Sequence, residues 1–504
     1  MLGCGLDRVL SLLGKGQDVD VRGYDGSTPL MTACRTFAPA VPHLIAAGAD
    51  VNAKDALGRA PLCYAADASV ISMLLEAGAD IEAEDNQERT PLLSAVMYDR
   101  PEIVQALVRS GANLYAVDRQ GSAVSIAVRG RNTEMLRTLE ALGADIELRN
   151  ADGKTPLMEA AFLDNPEAVS ALIEYGAHVD ARDGDGMTAL MAASLRGSSE
   201  CARMLLAAGA QAGLKDWDGM TALIHAAQCS DAGPELYKAL LAAGTEVNAR
   251  DSSEMTALSY AVANACDLCL VKLLVEAGAD VSVHDALDSS LLHLAASMNQ
   301  DPAFTRYFLS LGLDPEERNL EDETVLIDAA RSNPSEAVIK ALVDAGADVN
   351  ASRMDGITAL HAAASSNANP NVVKALVKAG GNLEARDCEG ATVLMAGARD
   401  ACSPAMVNML VKLGQKVNAR DREGRTALMY AAANPCSLFT VQALLKLGAD
   451  VNAVDDSGST ALMKALQSGP DPELVRELVK AGAKVGKKVM KLAQLENIRA
   501  LLKG

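Results

Sequence analysis

Three constellations in this 504-residue chain are made of residue types that do chemistry. Gly153-Lys154-Thr155 has the ending of a loop in which backbone N–H groups and a lysine cradle phosphates. No glycine stands five residues before Gly153, and the tripeptide sits inside Asp-Gly-Lys-Thr-Pro-Leu, a phrase that recurs in variants along the chain. Cys266-Asp267-Leu268-Cys269 has the spacing of a zinc or dithiol pair, but no second pair accompanies it and no βαβ pattern surrounds it. The six histidines, His43, His178, His225, His284, His293 and His361, show no H-E-x-x-H spacing for a metal. No serine or cysteine stands in a recognisable nucleophile setting. These residues predict no catalytic site, no cofactor and no bound metal.

The elements that carry them are one unit written many times, and such repetition decides a fold before anything else does. A Thr-(Pro/Ala/Val)-Leu step recurs at Thr28, Thr90, Thr155, Thr188, Thr221, Thr256, Thr324, Thr358, Thr392, Thr426 and Thr460, with degenerate copies at Ala60, Ser122 and Ser290. A second marker, Gly-Ala-Asp-Val-Asn-Ala, is clearest at Gly48, Gly346 and Gly448. From marker glycine to the next Thr-type position is 12 residues, except for 11 between Gly111 and Ser122; the return distance varies from 18 to 23. The invariant half predicts an ordered backbone docked on its neighbours, and the variable half a surface loop that tolerates insertion.

Each unit reads as two helices and a turn. After Thr426 a short helix rich in small residues runs to Ala432, and Asn434-Pro435 interrupts it. Asn suits an N-cap and Pro the first helical position. The same device is expected at Asn165-Pro166, Asn333-Pro334, Asn369-Pro370, Ser403-Pro404 and Asp471-Pro472. A second helix then carries Leu438, Val441, Leu444 and Leu445 on one stripe, and Gly448 ends it.

This pattern resembles the ankyrin repeat. The match rests on Thr28-Pro29-Leu30, Thr90-Pro91-Leu92 and Thr155-Pro156-Leu157, on the Ala-Ala pairs, and on the Gly-Ala-Asp-Val-Asn-Ala hairpins, and it covers nearly the whole chain. The family's usual His after Thr-Pro-Leu survives only at His293 and His361; Met replaces it at Met31, Met158, Met191, Met395, Met429 and Met463. The Thr-Ala-Leu-Met form looks more like bacterial arrays than animal ones. The resemblance implies a mainly α solenoid of about fourteen units in a curved superhelical stack. Residues 1–27 are expected to form a capping half-repeat with the first hairpin, 28–485 the stacked repeats, and 486–504 a capping helix.

The resemblance also implies a ligand on the concave side, against hairpin tips and first helices. The exposed positions would be the residue before each Thr, the tip pair, and the seventh and eighth residues after the Thr. Most units are polar there. Between Met97 and Met255 the columns turn apolar: Met97 and Tyr98, Phe162 and Leu163, Leu195, then Met187, Met220 and Met255 before their Thr, and Trp217, the only tryptophan, at a tip. An exposed apolar patch marks a partner site, and Trp, Tyr and Met are favoured there. Met158 and Met191 are assigned to the core instead. Leu287, Leu320 and Met354 form a weaker set at later tips. Internal packing under tight curvature is the competing reading of all of them. A basic column, Lys54, Arg149, Arg182, Lys215, Arg250, Arg318, Arg386 and Arg420, reads as local pairing with neighbouring Asp rather than as a ladder for an acidic partner.

Composition narrows the function. Lys and Arg number 46 and Asp and Glu 66, a net charge of −20, which repels phosphate backbones and anionic lipid. The chain is 49% hydrophobic, too much for disorder, yet only 3% aromatic, so the core must be built from Ala, Leu, Val and Met. No apolar run is long enough to span a bilayer. Asp7 and Arg8 spoil the start as a signal peptide, and Leu2-Gly3-Cys4 lacks the preceding apolar segment of a lipoprotein signal. Ten cysteines without bridge-like spacing favour a reducing compartment. Cys266, Cys402 and Cys436 share one column and are expected to stay apart, because units stand too far apart for a disulfide. The expectation is a cytoplasmic, monomeric, non-enzymatic scaffold for another protein, binding neither nucleic acid nor membrane. Its rivals are a secreted bacterial effector engaging host proteins, an enzyme or metal protein hidden in the array, and a lipid-anchored or periplasmic scaffold.

Overall fold

The computed structural model describes residues 18–492, apart from 368, 401–402, 435–436 and 470, together with 502. It divides into two compact units, Met1–Ser252 and Ser253–Gly504. Both are built from the same element pair. A first helix of six to eight residues follows the Thr-type position, as in Pro156–Phe162, Ala189–Leu195 and Ala359–Ser366. A second follows, nine residues long in every described case except Val41–Ala46. Helices this short are unstable alone, so their order comes from packing. Within each unit first helices stack on the first helices of adjacent repeats and second helices on second helices.

The sequence explains each boundary. Thr155 is the N-cap of Pro156–Phe162, and its hydroxyl accepts the Met158 N–H at 3.4 Å. The Thr155 N–H in turn donates to Met158 Sδ at 3.4 Å. The same pair forms at Thr28/Met31, Thr188/Met191 and Thr392/Met395. Met thus replaces His as a reciprocal cap. At His293 the imidazole does more: Nδ1 meets Ser290, and Nε2 meets the Glu323 carbonyl of the next repeat. At the other end all marker glycines from Gly48 to Gly482 have φ between 79° and 113°, the left-handed turn that ends a helix.

The first helices approach closely because their residues are small. In Ala189–Leu195, Ala189 to Ser194 are all buried. A Cβ on Gly397 would lie 3.2 Å from the Ala364 carbonyl oxygen of the neighbouring helix. The variable half behaves as its lengths suggest. Behind Ala60, which has no side chain to cap with, only the 3-10 turn Pro61–Tyr64 forms. In the longest unit the extra residues form the loop between Ala222–Gln228 and Pro234–Ala242.

Two of the expected Asn-Pro caps are displaced. Helix Glu336–Asp344 starts after Ser335, not Asn333, and helix Leu438–Lys446 after Ser437, not Asn434. Asn333 is fully buried. Its Nδ2 donates to the Ala296 and Asn299 carbonyls of the preceding repeat, both at 2.7 Å, and its Oδ1 accepts the Ser335 N–H at 2.9 Å. Tying the repeats together there outweighs capping. Asn165, Asn369, Ser403 and Asp471 do cap as expected.

The basic column is also corrected. Side chains along it reach backbone carbonyls of the next repeat, and Arg318 pairs with the Asp322 carboxylate as well. Arg182 Nη1 donates to the Lys215 carbonyl at 2.8 Å, and Lys215 Nζ to the Arg250 carbonyl at 3.2 Å. In the second unit Arg386 reaches the Arg420 carbonyl at 2.8 Å, and Arg420 the Val454 carbonyl. Alignment of identical hairpins brings each cation over a carbonyl, and a guanidinium with five donors can serve several.

Candidate functional site

The hairpins present the outward residues on a rigid base. Asp216 Oδ1 accepts the N–H groups of Asp218 and Met220 at 3.1 and 2.8 Å, closing the turn that carries Trp217. Asp183 does the same for Asp185 and Met187. Adjacent turns are joined by the Trp217 N–H, which donates to the Asp185 carbonyl at 3.0 Å.

Trp217 is 68% exposed yet held in place. Its indole Nε1–H donates to the Gly184 carbonyl at 3.1 Å, and the Arg182 guanidinium lies 5.3 Å from the ring centroid. The indole also lies against Gly186, where a Cβ would come within 2.8 Å of the ring. The indole's only polar group is therefore satisfied, and the ring surface left free by Gly186 and Arg182 faces solvent.

The other first-unit positions of this set are exposed or half-buried. Met97 and Phe162 end their first helices, and Tyr98 and Leu163 follow as C-caps; all four are exposed. Leu195, Met187 and Met220 are half-buried. The Phe162 ring has Lys154 Nζ at 5.5 Å and the Arg196 guanidinium at 5.3 Å from its centroid. Gln228 Nε2 approaches Met220 Sδ at 3.6 Å. Met255, half-buried, belongs to the second unit. Met158 and Met191 are buried.

The apolar column is not continuous. Helix Ala123–Arg129 packs between Pro91–Met97 and Pro156–Phe162, and it brings Arg129 and Gly130 to the outward positions. Arg129 Nη2 pairs with Glu159 Oε1 at 2.6 Å, and Asn150 Nδ2 donates to the same oxygen at 2.7 Å. Glu159 is nearly buried and needs that cation. Met97 and Tyr98 are thus set apart from the set centred on Phe162 and Trp217. Glu159 stands at the fourth position after Thr155, one that varies from repeat to repeat, so its pairing with Arg129 leaves no signal in the sequence. The cations Lys154, Arg182 and Arg196, which frame the aromatic rings, were also missed. The Arg182 and Arg196 contacts run from one repeat to the next, where no local pattern reveals them, whereas Lys154 stands eight residues before Phe162.

The constellations that suggested chemistry are occupied by structural work. Thr155 caps its helix and Lys154 lies over Phe162. Cys266 is buried and Cys269 exposed; Cys402 and Cys436 lie outside the described residues. Burial pushes the Cys34 and Cys201 thiols up to about 12 and Cys63 to about 11, so these sulfurs stay protonated. Among the described residues no three His, Cys, Asp or Glu are grouped to hold a metal. One ionisable cluster occurs twice. Tyr64 donates to Asp55 at 2.5 Å with Arg59 over its ring, and Tyr430 to Asp421 at 2.8 Å with Arg425 over its ring. Burial and the facing carboxylate push both phenols up, which keeps them as donors. No described helix is long and apolar enough to cross a membrane.

A repeat of two short helices and a hairpin, stacked on its own copies, defines an interaction module of the solenoid class. A family model described as ankyrin repeats (3 copies) matches in overlapping stretches from residue 3 to residue 489. The chain belongs to the ankyrin repeat family, whose repeats generally mediate protein–protein interaction and are typically non-enzymatic. It is similar to the B-cell lymphoma 3 protein homolog of Mus musculus, with 32% identity over 146 residues, 28% of this chain and 26% of that protein. It is also similar to a putative ankyrin repeat protein of Acanthamoeba polyphaga mimivirus, with 40% identity over 70 residues, 14% of this chain and 10% of that one. The matches thus span about a quarter and a tenth of these relatives. Among solved structures, the ankyrin repeat domain of Bcl-3 matches 43% of this chain and 99% of its own at 30% identity and TM-score 0.39. The human ASB11 ankyrin repeat domain matches 45% and 99% at 25% identity and TM-score 0.41.

Proposed function

We propose that the protein is a non-enzymatic scaffold that docks another protein on the concave face of its first unit. Trp217 is the anchor, with Phe162, Leu163, Leu195, Met187 and Met220 around it. Met97 and Tyr98 add an outlying contact, and Met255 offers an equivalent position in the second unit. The single observation that carries this reading is the held, solvent-facing indole of Trp217. A large apolar surface fixed before binding loses little rotamer entropy when covered. Trp is also the side chain type most concentrated at binding hot spots. The partner is a protein rather than nucleic acid, in keeping with the net charge of −20. The setting is a reducing cytoplasm and the working form a monomer. A secreted effector engaging host proteins would use the same face, and a secretion assay separates the two.

The test is affinity capture with the intact chain, followed by binding of the recovered partner to Trp217→Ala and Met220→Ala. Each should lose more than about 1 kcal/mol, and native Trp217 fluorescence should shift on binding. Unchanged affinity in both variants would move the docking face elsewhere.

A further inference from the structure

We infer that three consecutive hairpin tips of the second unit form a separate docking row for a basic amphipathic α-helix of another protein. Leu287, Leu320 and Met354 occupy these tips and are 55%, 71% and 94% exposed. Several other turns carry small or charged residues here, such as Gly184, Arg422 and Asp456, while Leu57 and Trp217 are exposed apolar tips of the first unit. Leu320 and Met354 stand four residues before Thr324 and Thr358, and Leu287 three before Ser290 at the adjoining tip position; exposed to this degree, they add little to the core of their own repeats.

The row is held rigidly. The Leu320 N–H donates to the Leu287 carbonyl at 2.9 Å, and the Met354 N–H donates to Asp322 Oδ2 at 2.6 Å. Repeats whose helices pack side by side stand about 10 Å apart, so the row is roughly 20 Å long. In an α-helix residues seven apart share a face and lie about 10.5 Å apart. In a strand, residues three apart span about the same length but point to opposite faces. The spacing therefore selects a helical partner with apolar side chains at seven-residue intervals.

Charge selects its polar flanks. Asp288 and Glu321 are exposed beside the row, and Asp322 and Asp355 are half-exposed. The cations nearby are committed within the protein. Arg318 bonds the Asp322 carboxylate and the Ser352 carbonyl. Arg331 holds Glu321 and the buried Glu323, and Arg353 bridges Glu323 and Asp355. Five carboxylates, Asp288, Glu321, Asp322, Glu323 and Asp355, thus stand against three arginines, so the border stays net acidic after pairing and is complementary to a stripe of Leu or Met bordered by Lys and Arg.

The experiment titrates the full chain with a synthetic peptide of about 18 residues, long enough for two heptad intervals, carrying one leucine stripe and lysine flanks. A permuted peptide of the same composition and a Glu-for-Lys analogue serve as comparisons, all read by fluorescence anisotropy. The striped lysine peptide should bind at least about tenfold more tightly than either, and less tightly as salt rises. Leu320→Ser with Met354→Ser should remove that preference, while Trp217→Ala should leave it intact. If the double variant does not fold by circular dichroism, Leu287→Ser alone should weaken binding. Equal binding of the striped and permuted peptides would reduce the effect to net charge and overturn the proposal. Loss of binding in Trp217→Ala with none at the tips would overturn it too, by moving the site to the first unit.

Discussion

Replacing Gly186 by Ala tests whether the exposed indole is truly held by the hairpin beneath it. Two penalties act together. Gly186 has φ +79°, and the left-handed region costs an L-residue about 1–2 kcal/mol. The new Cβ would also lie 2.8 Å from Trp217 Cδ2, 2.9 Å from Cε2 and 3.1 Å from the Trp217 nitrogen. That nitrogen is fixed by its bond to the Asp185 carbonyl, so the side chain must give way. Swinging out breaks the Nε1–H bond to Gly184, a net loss of about 0.5–1.5 kcal/mol. The sum is about 1.5–3.5 kcal/mol of local destabilisation, by addition of these two ranges. Because Trp217 is the chain's only tryptophan, its emission reports this event alone. Gly186→Ala should shift the emission maximum and lower the midpoint of the fluorescence-detected urea transition. In Gly186→Ala combined with Trp217→Ala, followed by circular dichroism, the penalty from displacing the indole should vanish, leaving the backbone strain and the 3.1 Å contact with the residue 217 nitrogen. Native emission and an unchanged midpoint in Gly186→Ala would refute the account of a held indole.

Other perturbations probe the devices that join the repeats. Asn333→Ala removes three hydrogen bonds and leaves buried carbonyls short of a donor, so urea denaturation should show a loss of about 2–4 kcal/mol. Ala265 sits at φ +52° in the loop after its first helix, where Gly197 serves at the same turn of another repeat; Ala265→Gly should raise the thermal midpoint, stabilising by about 1 kcal/mol. Burial pushes the His293 and His361 imidazoles below their ordinary value. Their neutral forms are favoured in the folded state, so this contribution is complete above the unfolded value near about 6.5 and is lost as pH falls through the folded one. His293→Met with His361→Met adopts the cap used by other repeats, and should flatten the pH dependence of denaturant midpoints on the acid side of about 6.5.

The repeat, its two helices and its hairpin were legible because each is dictated locally. Thr at the N-cap, Pro after it, and Gly in the left-handed turn act within a few residues, and repetition multiplies the signal. The first-helix methionines could be assigned to the core because their phase matched the family's His, although their role as sulfur caps could not be read. The exposure of Trp217 was likewise predictable from its place in the turn. What could not be read was every contact running from one repeat to the next. Asn333 looks like a helix cap and is instead a clamp on the preceding repeat. The basic column looks like partners for Asp, which holds at Arg318, but it mainly donates to carbonyls one repeat away.

The amino-acid sequence by itself determined the architecture and the outward columns, because short-range capping and spacing leave one way to fold each unit. Tertiary structure alone decided how the outward residues are held. That Arg129 interrupts the apolar column follows from its place after Ser122, but that the nearly buried Glu159 holds it, and that Gly184 and Gly186 fix the indole from the neighbouring turn, does not. Both effects arise between residues about thirty positions apart, brought within hydrogen-bonding distance only when the repeats stack.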